Sequence, residues 1–282
     1  MDDIRTVVIS GATKGIGAAC ALHLDRLGFR VFAGYRSEAD AERLRARASS
    51  GLTPVKLDVT DGATIAQTAE IVSAATGEAG LWGVVNNAAI VVAGPLEVLP
   101  IEEIRHQFEV NVMGALRLTQ VLIPLLRQGG GGGRIVNISS VNGRLCTPYS
   151  GPYSASKFAL EALSDALRFE LRRWAIEVSI VEPGAIRTPL WDASRKRALR
   201  IARSIAPESK QLYRRVFDRL NDVKSPARAL APERVAHVVA QALIARRPRT
   251  RYQVGWDARV GVLIARLLPG RLIDLLLAAR RR

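Results

Sequence analysis

Residues 6–24 constrain this chain more than any other stretch. Thr6-Val7-Val8-Ile9-Ser10 is a short β-branched run of the kind that fills a buried parallel strand. It runs directly into Gly11-Ala12-Thr13-Lys14-Gly15-Ile16-Gly17, after which Ala18-Ala19-Cys20-Ala21-Leu22-His23-Leu24 reads as a helix. Strand, glycine turn and helix in that order open a βαβ unit, and this is the context of a dinucleotide-binding fingerprint. Glycines let the backbone turn sharply and approach a pyrophosphate, while the helix N-terminus offers free N–H groups and a positive dipole end. The spacing is Gly-x3-Gly-x-Gly, which departs from the usual Gly-x-Gly-x2-Gly.

Strand-like segments recur at 30–35, 54–58, 83–86, 134–139 and 177–182, separated by helical patterns, and 251–254 is a candidate seventh. That alternation predicts one α/β domain spanning 1–282, with a mostly parallel, doubly wound sheet covered by helices on both faces. With 282 residues, 48% of them hydrophobic, the chain is large enough to bury such a core. Residues 129–133 are five glycines, read as a flexible helix-to-strand loop without a site role. Two cysteines, Cys20 and Cys146, make no disulfide framework and fit a reducing compartment. Met1-Asp2-Asp3-Ile4 does not resemble a signal peptide, and no run reaches 18 apolar residues, so a cytoplasmic location without a spanning helix is expected.

The second strand selects the nucleotide. An NAD site wants a carboxylate about 20 residues past the glycine loop for the ribose 2′-OH. Tyr35 stands there, Arg36 follows, and Lys14 adds a cation within the loop. Two cations without a carboxylate suit a 2′-phosphate, so NADP(H) is favoured over NAD(H).

Tyr153 and Lys157 stand four residues apart, hence on one helix face, with the ammonium beside the phenol. A neighbouring cation favours phenolate and draws the phenol down from about 10 toward the range of a working general acid or base. Ser140 lies thirteen residues before the tyrosine.

With both motifs in hand, the chain resembles the short-chain dehydrogenase/reductase family, strongly from Thr6 to about Thr188 and more loosely beyond. Leu57-Asp58-Val59-Thr60 looks like the segment that meets the adenine. Val85-Asn86-Asn87-Ala88-Ala89 is similar to the Asn-Asn-Ala-Gly motif, with Ala89 in place of glycine. Asn111 matches the helix asparagine of the catalytic tetrad, and Pro183-Gly184-Ala185-Ile186-Arg187-Thr188 matches the stretch that closes over the nicotinamide. The resemblance implies a single Rossmann-type sheet of about seven strands with a helical C-terminal lid and tail. It implies Tyr153 as acid/base, Lys157 as its modulator and ribose ligand, Ser140 as orienter of the substrate oxygen, and Asn111 as holder of a water. The cofactor contacts it implies are Gly11, Thr13, Lys14, Gly15, Ile16, Gly17, Arg36, Asp58, Val59, Asn86, Tyr153, Lys157, Pro183, Ile186 and Thr188. No metal is expected. Family members pair through two long helices, matched here by 101–127 and 153–174, so a homo-oligomer is implied.

Charge is unevenly placed. Residues 1–190 carry 19 Lys+Arg and 19 Asp+Glu, whereas 191–282 carry 22 and 7, so the whole +15 lies in the last third. An anionic partner surface is the physical expectation. No nucleic-acid module is recognisable and aromatic interleaving is sparse, so nucleic acid is not expected. The tail, 259–282, holds two apolar helical pieces broken at Pro269-Gly270, punctuated by Arg259, Arg266 and Arg271 and ended by Arg280-Arg281-Arg282. That pattern suits a membrane interface, or packing on the cleft or on another subunit. The segment 189–231 is the expected substrate lid, with Leu190, Trp191, Leu199, Ile201, Ile205, Leu212, Tyr213, Val216, Phe217 and Leu220 as apolar members and Tyr149 as a candidate wall. An apolar lid implies a lipophilic alcohol or ketone, in the manner of the retinol and hydroxysteroid branch. A reductase of acyl-thioester ketones is the alternative within enzymes. A nucleotide sensor without turnover is the alternative outside them, and the intact Asn111, Ser140, Tyr153 and Lys157 argue against it.

Overall fold

Val7, Val8 and Ile9 display the layering in miniature. In the computed structural model, which describes residues 4–128, 132–221 and 224–279, all three are fully buried. Alternate side chains of a strand face opposite ways. Val7 and Ile9 enter one core layer, with Ala18, Cys20, Leu24, Val235 and Val239; Val8 enters the other, with Ile65, Val72, Leu118, Leu122 and Leu171. A strand that must fill two cores reads as an unbroken apolar run, which is why Thr6–Ile9 shows no polar alternation.

The first half of the chain runs β1 (Thr6–Ile9), α1 (Gly15–Arg26), β2 (Arg30–Tyr35), α2 (Glu38–Arg45), β3 (Leu52–Lys56), α3 (Gly62–Thr76), β4 (Gly83–Asn86), α4 (Ile101–Phe108) and α5 (Ala115–Gln128). It continues with β5 (Arg134–Ile138), α6 (Gly151–Leu171), β6 (Glu177–Pro183), α7 (Leu190–Ser204), α8 (Pro207–Leu212), α9 (Arg214–Asn221), α10 (Glu233–Ile244), β7 (Arg251–Val254), α11 (Trp256–Leu267) and α12 (Gly270–Ala279). The seven strands are ordered β3-β2-β1-β4-β5-β6-β7, and each neighbouring pair is parallel. Chain order reverses between β1 and β4, so a crevice opens outside their C-terminal ends, where ligands of open α/β sheets bind.

The expected sheet is therefore present, and the strands differ from expectation mainly at their ends. β3 begins two residues earlier than the sequence pattern implied, since Leu52 pairs with Val31. Pro54 is accommodated because β3 is an edge strand, where a missing N–H costs no ladder bond. Ile101–Gln128 forms one 28-residue rod, joined by a π-helical turn at Glu109–Gly114, with a mean hydropathy of 1.2 in its most apolar window. It is long and apolar enough to cross a membrane, yet 56% of that window is buried in the fold, where Leu118, Leu122 and Leu126 cover the sheet. The run of glycines at 129–131 and the terminal Arg280, Arg281 and Arg282 lie outside the described residues.

α7 docks over the cleft through Ile201, which packs with Val92, Leu99, Ile104 and Ile205, and through Arg197 and Arg200, which clasp Glu103 at 2.6 and 2.7 Å. Of the expected apolar lid members, Ile201 and Phe217 turn inward, whereas Leu212 points to solvent. The side chain of Leu220 lies outside the described residues.

Candidate active site

The glycine turn owes its shape to contacts that no other residue tolerates. Gly11 and Gly15 adopt φ of +61° and +54°. A Cβ on Gly17 would lie 2.2 Å from the Gly11 carbonyl oxygen and 2.5 Å from Asn87 Nδ2, so α1 can approach the turn only with glycine there. Asn87 holds the turn to β4: its Nδ2 donates to the carbonyls of Ser10 (3.0 Å) and Gly11 (2.9 Å). Ser10 Oγ in return accepts the N–H groups of Asn87 and Ala88. The N-cap residue of α1 is Lys14, whose side chain makes no capping bond, leaving the first-turn N–H groups to an anion. These residues fit a dinucleotide pyrophosphate, which the backbone of Thr13, Lys14, Gly15, Ile16 and Gly17 would hold.

At the adenosine end the two expected cations are present but not free. Lys14 Nζ lies 2.6 Å from Asp40, which also binds Arg43, and Arg36 is 4.0 Å from Asp58. The hydrogen bond from Lys14 holds the Asp40 carboxyl below its usual range. Position 35 lacks a carboxylate as expected, but α2 folds Asp40 back to the loop, and only the tertiary fold brings that acid beside Lys14. Asp58 Oδ1 accepts from the Thr60 N–H and hydroxyl at 2.9 and 2.7 Å. Burial works to raise the Asp58 carboxyl, and the bonds from Thr60 with the charge of Arg36 outweigh it. Val59 is buried against Gly114, where a Cβ would come within 2.6 Å of Val59 Cγ2.

Ser140, Tyr153 and Lys157 converge at the ends of β5 and α6. The Ser140 hydroxyl accepts the Asn142 N–H at 3.1 Å, and its nearness to Tyr153 favours the phenolate form. Lys157 is 2% exposed, donates to the Ile138 carbonyl at 2.8 Å, and its Nζ lies 5.8 Å from the centre of the Tyr153 ring. The expected fall in the phenol's pKa is not what this environment produces. Burial pushes Tyr153 up to about 12, opposed by Ser140, and pushes Lys157 down to about 8, opposed by Glu161. Desolvation dominates because burial disfavours both charged forms, and the ammonium is drawn to the Ile138 carbonyl. A phenol of this kind is protonated at neutral pH and suited to donating a proton to a developing alkoxide.

Asn111 sits within the π-helical turn, a local widening often found at functional sites. Its Oδ1 accepts the Ile90 N–H at 2.8 Å, and its Nδ2 donates to the Ile90 carbonyl and to Ser156 Oγ at 3.0 and 3.1 Å. With its amide so engaged, a water would have to be held by its backbone. Asn86 faces the interior: its Nδ2 donates to Thr119 and Asn137, each at 2.8 Å. Any contact of Asn86 with a cofactor must use its main chain. Pro183 ends β6, Ile186 lies in the core, and Thr188 packs over Gly15, where a Cβ would meet Thr188 Cβ at 3.1 Å. Among the described residues, no group of three or more His, Cys, Asp or Glu side chains could hold a metal ion.

Residues 5–199 match the family model of the short chain dehydrogenases. The chain belongs to that family. It is 39% identical to retinol dehydrogenase 5 of Mus musculus, covering 96% of this chain and 87% of the relative. It is 37% identical to 17-beta-hydroxysteroid dehydrogenase type 6 of Bos taurus, covering 97% and 87%. These relatives place it in the retinol and hydroxysteroid branch. A solved short-chain dehydrogenase/reductase from Burkholderia phymatum in complex with NAD superposes with a TM-score of 0.77 at 27% identity, over 97% of this chain and 95% of that one.

Two further residues of the site, Asp257 and Glu161, belong to no motif in the sequence. Asp257, at the start of α11, accepts the Ala185 N–H at 2.6 Å and so pins the Pro183–Thr188 segment. No local signal links positions 72 residues apart. Glu161 was detectable in principle, since it continues the helical face of Tyr153 and Lys157 by one more turn.

Proposed function

We propose that this dehydrogenase interconverts a lipophilic alcohol and its ketone or aldehyde, preferring NADP(H), with Tyr153 as acid/base. The carrying observation is the convergence of Ser140, Tyr153 and buried Lys157, whose Nζ lies 5.8 Å from the tyrosine ring centre, beside a glycine turn built for a pyrophosphate. Ser140 and Tyr153 orient the substrate oxygen, and Tyr153 donates or takes the proton at that oxygen. The cofactor supplies or accepts the hydride. The named activities of the relatives support an apolar substrate. Lys14 and Arg36 support the 2′-phosphate, with Asp40 and Asp58 as competitors that a phosphate must displace.

The same proposal places the protein at an anionic membrane surface through α11 and α12. Trp256, Leu263 and Leu267 share one exposed face, as do Leu272, Leu275 and Leu276, and Arg259, Arg266 and Arg271 lie exposed among them. Homo-oligomerisation would use the outer faces of α5 and α6, where Val121, Phe158 and Phe169 are exposed. Oxidation of NADPH and NADH at 340 nm against retinal, steroid ketones, acyl-thioester ketones and small sugars tests the activity. Turnover confined to apolar ketones with NADPH is expected. Turnover of thioester ketones alone assigns the enzyme to acyl reduction, and cofactor binding without turnover removes the catalytic role.

A further inference from the structure

Behind the catalytic side chains lies a buried charge cluster that this chemistry leaves unused. Glu161 of α6 and Glu182 of β6 are 4% and 0% exposed. Arg251 of β7 reaches both, its Nε 3.0 Å from Glu161 and 3.5 Å from Glu182. Arg144, between Ser140 and Tyr153, approaches the same pair at 3.9 and 3.8 Å. Gln253 donates to Glu182, and Arg251 also binds Asp165, which Arg168 holds from within α6. Even so, Glu161 Oε1 and Glu182 Oε1 have no hydrogen-bond partner. Two adjacent buried carboxylates, incompletely satisfied, are costly for folding alone.

The cluster touches the site at two points. Tyr153, Lys157 and Glu161 follow at intervals of four on one face of α6, and Glu161 is the acid whose charge acts on buried Lys157. Ser139, the residue before Ser140, faces Glu161, and Gly143 closes over both: a Cβ there would lie 2.7 Å from Ser139 Oγ and 3.1 Å from Glu161 Cγ.

Resting on the oxidoreductase function above, we propose that Glu161 is a positioning residue for it. Clamped by Arg251 and Arg144, its carboxylate keeps the Lys157 ammonium charged behind Tyr153 and braces the strand end that carries Ser140. The charged groups facing it are Lys157 and Asp165 on its own helix, Arg144 on the preceding loop, Glu182 on β6 and Arg251 on β7. Burial pushes Glu161 up to about 6, with Glu182 adding to the push and Ser139 and Arg251 opposing it. The guanidinium groups of Arg251 and Arg144 beside it favour the ionised form that Lys157 needs as a partner.

The first readout needs no substrate. Lys157 is one of six lysines, so lysine labelled with 13C at Cε reports its titration in the full-length, NADP-bound protein. In Glu161→Gln the Lys157 midpoint should fall by about one pH unit or more, and Glu161→Asp should recover most of that shift. The alkaline limb of kcat/KM should move with it while cofactor Kd stays unchanged. An unmoved Lys157 midpoint and pH profile, with only a lower Tm, would overturn the proposal and leave Glu161 a structural acid. Should Glu161→Gln not fold, Glu161→Asp serves: the shorter side chain draws the carboxylate away from Lys157, so the Lys157 midpoint should fall part-way, and an unmoved midpoint refutes the idea. A wild-type protein that turns over no substrate refutes the oxidoreductase function, while the lysine titration still decides the role of Glu161.

Discussion

At the scale of single residues, the site depends on which protons its buried groups keep. Burial holds Tyr153 protonated up to about 12 and makes Lys157 release its proton near 8. For carbonyl reduction both protonated forms are needed, so kcat/KM should be level below about pH 8 and fall above it as Lys157 discharges. A pH–rate profile with saturating NADPH checks this, and a profile flat through pH 9 would remove Lys157 from the rate-determining proton balance. Tyr153→Phe removes the proton donor while leaving the ring in place. It should lower kcat by about 10²–10⁴-fold with NADPH binding by fluorescence nearly unchanged.

At the scale of elements, close approach decides what the turns can hold. Gly17→Ala would force a Cβ against the Gly11 carbonyl and Asn87, the two groups that hold the turn to β4. It should lower Tm and weaken cofactor binding together, since the same backbone serves both. Equal Tm with weaker binding would place the effect on the cofactor alone. Under the proposed function, nucleotide preference follows from a balance of charges at the β2–α2 junction, Lys14 with Asp40 and Arg36 with Asp58. Arg36→Asp should shift the kcat/KM ratio toward NADH, because it removes the cation for a 2′-phosphate and adds an acceptor for a ribose hydroxyl. An unchanged ratio would assign discrimination to Lys14.

At the scale of the whole molecule, the C-terminal helices are two different objects. α11 is locked to the site: Asp257 pins Ala185, Ala258 is fully buried, and a Cβ on Gly261 would lie 2.6 Å from Val141 Cγ2, next to Ser140. α12 exposes Leu272, Leu275 and Leu276 together. Removing residues 270–282 should therefore preserve turnover and reduce cosedimentation with anionic vesicles. Removing 259–282 should also cost activity by unpacking Val141. Equal vesicle binding with and without 270–282 would leave α12 to protein packing.

What could be read along the chain were features set by neighbours in sequence. The strand, turn and helix at 6–24, the four-residue spacing of Tyr153 and Lys157, and the apolar runs of a twice-buried sheet are local or periodic, so composition and spacing expose them. The strand ends, the inward turn of the Asn86 side chain and the balance of charges around Lys14 were not legible in that way. Asp40 meets Lys14 because α2 folds back on the turn, and Asp257 meets Ala185 because α11 crosses the strand ends. The Tyr153 phenol shows the limit most clearly. Helical spacing alone placed an ammonium near it and implied a lowered pKa, but the sign depends on desolvation, which is a property of everything packed around the group. The sequence by itself determined which side chains could perform the chemistry. Only the tertiary structure decided their protonation, their partners and which of them face the cleft, because burial and charge pairing are sums over residues distant in the chain.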